Sequence, residues 1–331
     1  MSGEINGGYW FVGYWFLILI LIIMSHLRKI ILYIIFVIVV VSVVLFLLSI
    51  RKNPKKITYG VSFNTSYARE LGLDWKKVYI AILEDLKVKH LRLSALWTMV
   101  EPQDNKFDFK ELDFQINEAK KHNADVILGV GRRLPRWPEC HVPKWAQSLS
   151  WKEQKNKIRE MITEVVKRYR GNEAILYWQV ENEPFLTVFA KQYCGDLDKK
   201  FLAEEIALVK KLDPTRPILV TDSGNLGTWA GAYKSGDVFG TSVYVYFWNP
   251  KIGPFKSILP PAYYRIKSNI MRLIYGKKKM LIIELSAEPW LLRPVDLILS
   301  IYGERSGGIG LKSGGISHFG FGLKNYIVVV N

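Results

Sequence analysis

Two glutamates of this sequence each follow a run of apolar residues that is typical of a buried strand. Glu183 lies in the segment WQVENEP, and Glu284 lies in the segment IIELSAEPW. Two carboxyl groups on opposite sides of a glycosidic bond can cleave it, because one protonates the leaving oxygen while the other attacks the anomeric carbon. This chemistry requires a fold that brings two distant strand ends together.

Two neighbouring glutamates compete for these roles. Glu181 should point to the opposite side of its strand from Asn182, since side chains alternate along a strand, and we expect it to form a structural ion pair. Glu288 is an alternative nucleophile, but Glu284 follows the buried strand directly and is therefore favoured. An Asn-Glu-Pro tripeptide alone can simply end a strand, so the prediction depends on both Glu183 and Glu284.

From residue 57 onward, short β-rich runs alternate with amphipathic helical patterns, which indicates an α/β fold with a parallel sheet. The predicted strands cover residues 57–64, 88–97, 124–131, 174–184, 217–225, 237–248 and 279–290. They are nearly continuous apolar runs, as expected for strands that helices cover. We therefore predict a (β/α)8 barrel, the TIM barrel, over residues 57–331.

The spacing of the two glutamates fits this barrel. Glu183 ends the fourth predicted strand and Glu284 lies in the seventh, about 100 residues later. Three βα units of a typical barrel span roughly 94 residues, and barrel active sites lie at the carboxyl ends of the strands. The eighth unit is weaker, because residues 300–322 are rich in glycine. We expect this unit to be degenerate or truncated.

The segments WQVENEP and IIELSAEPW resemble the clan A glycoside hydrolases, barrel enzymes that include cellulase-like and β-galactosidase-like families. The resemblance extends from about residue 57 to residue 290. It implies that Glu183 is the acid/base and that Asn182 contacts the sugar 2-hydroxyl. It also implies that Glu284 is the nucleophile of a retaining reaction.

The resemblance implies supporting residues as well. Arg92, in the segment HLRLSALW, is expected near the nucleophile, and a buried arginine requires such a partner. Tyr244 is expected to donate a hydrogen bond to the nucleophile. Trp97 and Trp290 follow strands and either stack on a sugar ring or pack internally. The family usually carries a tryptophan at strand eight, whereas this sequence has none after Trp290.

The sequence thus predicts a retaining O-glycoside hydrolase for a β-linked oligo- or polysaccharide, working without a metal or another cofactor. The alternative is a catalytically impaired, membrane-tethered glycan-binding pseudoenzyme whose eighth unit is lost. The formal net charge of +16 raises a third option, a polyanion binder. No nucleic-acid motif and no basic stripe interleaved with aromatic residues occurs, so we expect no nucleic-acid partner.

Residues 30–50 are apolar and uncharged, and they are long enough to cross a ~30 Å hydrocarbon core as a helix. Arg51 and Lys52 follow in place of a small-residue cleavage site, which favours an uncleaved transmembrane anchor. Residues 1–29 hold a shorter apolar run, which is either a first span or the product of an upstream start codon. Residues 51–56 form a basic linker, and we expect the barrel to be extracytoplasmic.

The two cysteines, Cys140 and Cys194, follow the third and fourth predicted strands. Their loops should lie on the same face of the barrel, and their spacing does not match a metal site. We therefore predict a disulfide between them, which is favoured outside the cytoplasm.

Overall fold

The computed structural model describes residues 8–50, 57–136, 139–187, 191–249, 253–286 and 327–330. The chain divides into two compact units. One comprises residues 1–52 and 261–270, and it contains the long helix α1 (Gly8–Ser49). The other comprises residues 53–260 and 271–331, and it contains a β-barrel.

The strands are, in chain order, β1 (Thr58–Ser62), β2 (His90–Ser94), β3 (Asp125–Val130), β4 (Ile175–Val180), β5 (Ile218–Asp222), β6 (Val238–Tyr244), β7 (Tyr246–Asn249), β8 (Gly253–Lys256), β9 (Lys279–Ser286) and β10 (Ile327–Val330). Strands β1 to β6 and β9 run parallel and follow one another around the barrel. Strand β10 lies between β9 and β1 and is antiparallel to both, so it closes the barrel.

The seven parallel strands match the predicted TIM-barrel order, and β9 is the seventh barrel strand. The predicted sixth strand, residues 237–248, is too long, because β6 ends at Tyr244 and the chain enters the antiparallel hairpin of β7 and β8. The eighth position differs from a regular barrel, since β10 is antiparallel. The glycine-rich residues 300–322 lie outside the described residues.

The helices after α1 are α2 (Thr65–Glu70), α3 (Trp75–Glu84), α4 (Trp97–Val100), α5 (Lys110–Lys121), α6 (Trp151–Tyr169), α7 (Lys191–Cys194), α8 (Lys199–Leu212), α9 (Ala230–Ser235) and α10 (Pro261–Tyr275). Local sequence explains their ends. Asp74 caps α3, and Ser150 and Glu153 form a capping box at the start of α6.

The barrel core comes from the apolar strand residues that the sequence singles out. All five residues of β5 are buried, and five of the six residues of β3 are buried. One cluster joins apolar side chains of adjacent strands, namely Ile127, Tyr177, Leu219, Val238, Leu281 and Ile283. Burial of consecutive residues means that both faces of these strands are covered, as in other parallel sheets with helices outside.

Helix α1 is continuous over 42 residues, a length of about 63 Å at 1.5 Å per residue. Its portion Leu21–Ser49 has a mean hydropathy of 3.5 over its most apolar stretch. By length and composition it is the one helix within the described residues that is long and apolar enough to cross a membrane.

The loops after β3 and β4 are joined covalently. Cys140 and Cys194 form a disulfide with a Cα–Cα distance of 5.5 Å and a sequence separation of 54 residues. Arg132 Nη2 also donates a hydrogen bond to the carbonyl oxygen of Cys194 at 2.6 Å. Both loops follow carboxyl ends of strands, so the bridge lies on the barrel face where active sites of this fold occur.

We predict that replacing both cysteines with alanine lowers the free energy of unfolding by about 2–4 kcal/mol, because the unfolded chain loses a long closed loop. Urea denaturation of the full-length chain in detergent measures this loss. Alkylation followed by mass spectrometry provides the control. An unreduced wild-type chain that takes up two alkyl groups, or a double variant as stable as wild type, would contradict the prediction.

Candidate active site

The chain turns sharply where β4 ends. Glu181 and Glu183 both have left-handed backbone conformations, with φ of 57° and 43°. Such angles are costly for residues with a side chain and persist where surrounding contacts enforce them. Here the Asn182 N–H donates to the carbonyl of Arg133 at 2.6 Å, and the Glu183 N–H donates to Thr221 Oγ1 at 2.8 Å. These bonds fix Asn182 and Glu183 at the rim.

Arg92 lies on β2 and is almost fully buried, with 1% of its surface exposed. Its guanidinium donates to three acceptors, which are Gln179 Oε1 at 2.8 Å, Glu284 Oε1 at 2.6 Å and Asn182 Oδ1 at 2.7 Å. The predicted pairing of this arginine with a carboxylate is thus present. One side chain connects the ends of β2, β4 and β9.

The second oxygen of Glu284 contacts Tyr244 at the end of β6. Tyr244 Oη donates to Glu284 Oε2 at 2.5 Å. Because Arg92 binds the other oxygen, both atoms of the Glu284 carboxylate are held in place. The structure thus brings Arg92, Asn182, Tyr244 and Glu284 together.

Glu183 has a different environment. It is 5% exposed, and its Oε1 is buried without a hydrogen-bond partner among the described residues. Burial raises the pKa of Glu183 to about 8, and the negative charges of Glu284 and Glu139 act in the same direction. Ser242 and Arg133 oppose this shift. This shift favours the protonated form of Glu183.

Glu181 points away from this group, toward the loop after β3. Its oxygens accept the backbone N–H groups of Arg132 and Arg133 at 2.7 and 2.6 Å. It also shares a hydrogen bond with Glu205 of α8, whose pKa burial and the Glu181 charge hold well above its usual range. The expectation of a simple ion pair misses this buried carboxyl partner.

Of the two tryptophans proposed for sugar stacking, only Trp97 lies within the described residues. Trp97 has no exposed surface; its Nε1 donates to Glu101 Oε2 at 2.7 Å, and its ring lies edge-on to Trp145 at 5.6 Å. In this structure Trp97 packs internally and presents no face to a ligand. Trp290 lies outside the described residues.

Several residues of the site were not predicted from the sequence. Gln179 and Thr221 are polar residues near the ends of apolar strands, and that position is the signal that would have revealed them. Glu139 accepts a hydrogen bond from Arg133 Nε at 2.7 Å, but its irregular loop gives no periodic signal. Among the described residues, no group of three or more His, Cys, Asp or Glu side chains is arranged to hold a metal ion.

The known proteins that this chain resembles are glycoside hydrolases. Residues 94–206, which include Asn182 and Glu183, match the family model of glycosyl hydrolase family 10. A β-galactosidase of Clostridium cellulovorans is 23% identical over 175 residues, covering 46% of this chain and 25% of that protein. An endo-1,4-β-xylanase of Arabidopsis thaliana is 22% identical over 126 residues, covering 38% of this chain and 12% of that protein.

The chain is therefore similar to glycoside hydrolases. It spans a quarter or less of the length of these two curated relatives. A family 10 endo-β-1,4-xylanase structure from Gloeophyllum trabeum is 14% identical, covers 72% of this chain and 74% of its own, and has a TM-score of 0.48. The family match includes the first of the two segments that carry the predicted resemblance, which lies at the end of β4.

Gly131 offers a test of how tightly the Glu181 turn is fixed. Its φ is 122°, and an added Cβ would collide with the Glu181 carboxylate, which two backbone N–H groups hold. We predict that Gly131→Ala lowers the free energy of unfolding by about 1–3 kcal/mol. Urea denaturation measures the loss. Gly171→Ala is the matched control, since its Cβ would meet open space. Equal stability of the two variants would contradict the prediction.

Proposed function

We propose that this protein hydrolyses a β-linked glycan with retention of anomeric configuration, using Glu183 as acid/base and Glu284 as nucleophile. The observation that carries this proposal is the contrast between the two carboxyl groups. Glu183 is buried with an oxygen that has no partner in the described residues, and its pKa is raised to about 8. Glu284 is paired with a cation and a tyrosine hydroxyl. Different environments of this kind distinguish an acid from a nucleophile.

In the first step, a Glu284 oxygen bonds to the anomeric carbon while the glycosidic C–O bond breaks. Glu183 gives its proton to the departing oxygen, so the aglycone leaves as a neutral alcohol. Arg92 and Tyr244 hold the attacking carboxylate, which reduces the reorganisation needed to reach the transition state. Asn182 Oδ1 is bound to Arg92, which orients the amide so that its Nδ2 group is presented to the sugar 2-hydroxyl.

In the second step, Glu183 is a carboxylate and accepts a proton from water. The resulting nucleophile attacks the anomeric carbon, and the ester bond to Glu284 breaks. Two inversions at one carbon give net retention. Because the first step needs protonated Glu183, activity is present below its pKa of about 8 and declines as the pH rises through that value.

We predict that Glu183→Ala and Glu284→Ala each lower kcat on p-nitrophenyl β-glycosides by at least about 10²-fold. Added azide separates the two roles. It should give a β-glycosyl azide with the Glu183 variant, because azide there replaces the attacking water. It should give an α-glycosyl azide with the Glu284 variant, because azide there replaces the missing nucleophile.

Glu204→Ala is the control, since Glu204 is a partly exposed carboxylate that pairs with Arg159 on the barrel exterior. It should retain wild-type kcat. Wild-type activity in either Glu183→Ala or Glu284→Ala would refute the assignment of that residue. A panel of gluco-, galacto-, manno- and xylo-configured substrates is needed, because sugar specificity depends on loops.

We also propose that α1 anchors the protein in a membrane with the barrel outside the cytoplasm. The apolar portion Leu21–Ser49 is 29 residues long, and none of its most apolar stretch is buried. A disulfide in the barrel fits an oxidising compartment. An anchor of this type would keep a glycosidase next to glycans at the cell surface.

The anchor predicts that the full-length chain, expressed in a bacterial host, stays in the membrane pellet during carbonate extraction at high pH. Proteinase K added to intact spheroplasts should then degrade the barrel. Release into the supernatant would refute the anchor. Protection of the barrel until the spheroplasts are lysed would refute the proposed orientation.

A further inference from the structure

The loop after β3 folds back on itself and places a third carboxylate next to the site. Arg133 and Cys140 form an isolated antiparallel bridge, and the Leu134 N–H donates to the carbonyl of Glu139 at 2.9 Å. Glu139 has a left-handed backbone, with φ of 68°. Because that conformation is unfavourable for a non-glycine residue, the surrounding contacts must enforce it.

These contacts attach Glu139 to the segment that carries the proposed acid/base. Arg133 Nε donates to Glu139 Oε2 at 2.7 Å, and Arg133 Nη1 donates to the carbonyl of Leu186 at 2.7 Å. The Arg133 N–H binds Glu181, and its carbonyl accepts the N–H of Asn182. Arg133 thus connects Glu139 to both ends of the turn around Glu183.

The disulfide provides a second attachment. Cys140 directly follows Glu139 and is bonded to Cys194 of α7. The Glu139 side chain is 19% exposed, and that of Arg133 is 9% exposed. An ion pair on the surface contributes little to stability, and it would not need a disulfide and an enforced backbone to hold it. A strained backbone, a largely buried ion pair and a disulfide together hold this carboxylate in a defined place.

The charge of Glu139 reaches both proposed catalytic groups. It raises the pKa of Glu183, and in turn the charge of Glu284 contributes to raising the pKa of Glu139, for which burial is the main cause. Arg133 is the main opposing influence on Glu139. The contacts agree with this, because Arg133 binds both Glu139 and the carbonyl of Leu186. The Leu186 N–H in turn donates to the carbonyl of Glu183 at 2.9 Å.

We propose that Glu139 is a positioning residue of this site, which supplies a fixed negative charge beside Glu183 and Glu284. The catalytic part of this role rests on the proposed function. Its effect is to keep the proton on Glu183 until the substrate's leaving oxygen accepts it. The ion pair with Arg133 holds the Glu139 carboxylate in place, and Glu139 does not bind the substrate itself.

The test is a titration of the Glu183 side chain by carbon-13 NMR, using full-length protein in detergent with labelled glutamate. The Glu183 signal is assigned by its loss in Glu183→Gln. In Glu139→Gln the nearby negative charge is removed, so Glu183 should ionise more easily. We expect about a ten-fold decrease in the ratio of protonated to ionised Glu183 at a fixed pH near 8.

Two variants separate charge from structure. Glu139→Asp keeps the negative charge and should retain most of the wild-type ratio. Glu70→Gln is the matched control, because Glu70 pairs with Arg136 of the same loop but is 53% exposed. An unchanged Glu183 titration in Glu139→Gln, or an equal change in Glu70→Gln, would overturn the proposal.

The reciprocal measurement decides the question if Glu139→Gln does not fold. Glu284→Gln removes a charge that acts on Glu139, so the Glu139 signal should titrate at lower pH than in wild type. An unmoved Glu139 titration would overturn the proposal. These titrations need no substrate, so failure of the proposed hydrolase activity is recorded separately, by the absence of turnover of every aryl glycoside.

When turnover is measurable, the basic limb of the pH–rate profile also reports the ionisation of Glu183. It should move to lower pH in Glu139→Gln and stay in place in Glu70→Gln. A structural role alone would lower kcat without moving this limb.

Discussion

The buried guanidinium of Arg92 is the interaction on which the site depends. A charged group with 1% exposure is costly to bury unless its hydrogen-bond donors have acceptors. Arg92 meets this requirement through Gln179, Asn182 and Glu284, which come from two strands that are distant in sequence. Removing any of these partners would leave a buried cation with fewer acceptors. The pairing therefore fixes the relative positions of β2, β4 and β9.

The two carboxyl groups have different environments as a result of that constraint. Arg92 donates a hydrogen bond to one oxygen of Glu284, and Tyr244 donates one to the other oxygen. Burial raises the pKa of Glu183, and the negative charges of Glu284 and Glu139 add to this effect, so the proton is held more tightly. Glu284 is thus paired with a cation, whereas the raised pKa of Glu183 favours its neutral form. Such a pair is suited to acid–nucleophile chemistry.

The barrel and the central residues could be predicted because their signals are local. Apolar runs identify the strands, and a glutamate that follows such a run must lie near the rim. An arginine within an apolar strand must find an acceptor, so Arg92 was predictable as well. The antiparallel β10 was not predictable, because strand direction depends on the path of the intervening chain.

Contacts between distant loops account for what the sequence did not reveal. Glu139 reaches the site only because its loop folds back and is tied to Cys194. The Glu181–Glu205 hydrogen bond depends on how α8 packs near β4. Trp97 shows a related limit, since a tryptophan after a strand has the same local sequence signal whether it packs internally or faces a ligand.

In the proposed mechanism Glu284 becomes covalently bonded to the sugar, and mechanism-based labelling detects that bond directly. The full-length protein would be incubated with 2,4-dinitrophenyl 2-deoxy-2-fluoro-β-glycosides of several sugars, digested with pepsin and analysed by mass spectrometry. Our account predicts one added fluorosugar per chain, located on Glu284. A label on Glu288 or Glu183, or turnover of aryl glycosides with inverted product and no label, would contradict it.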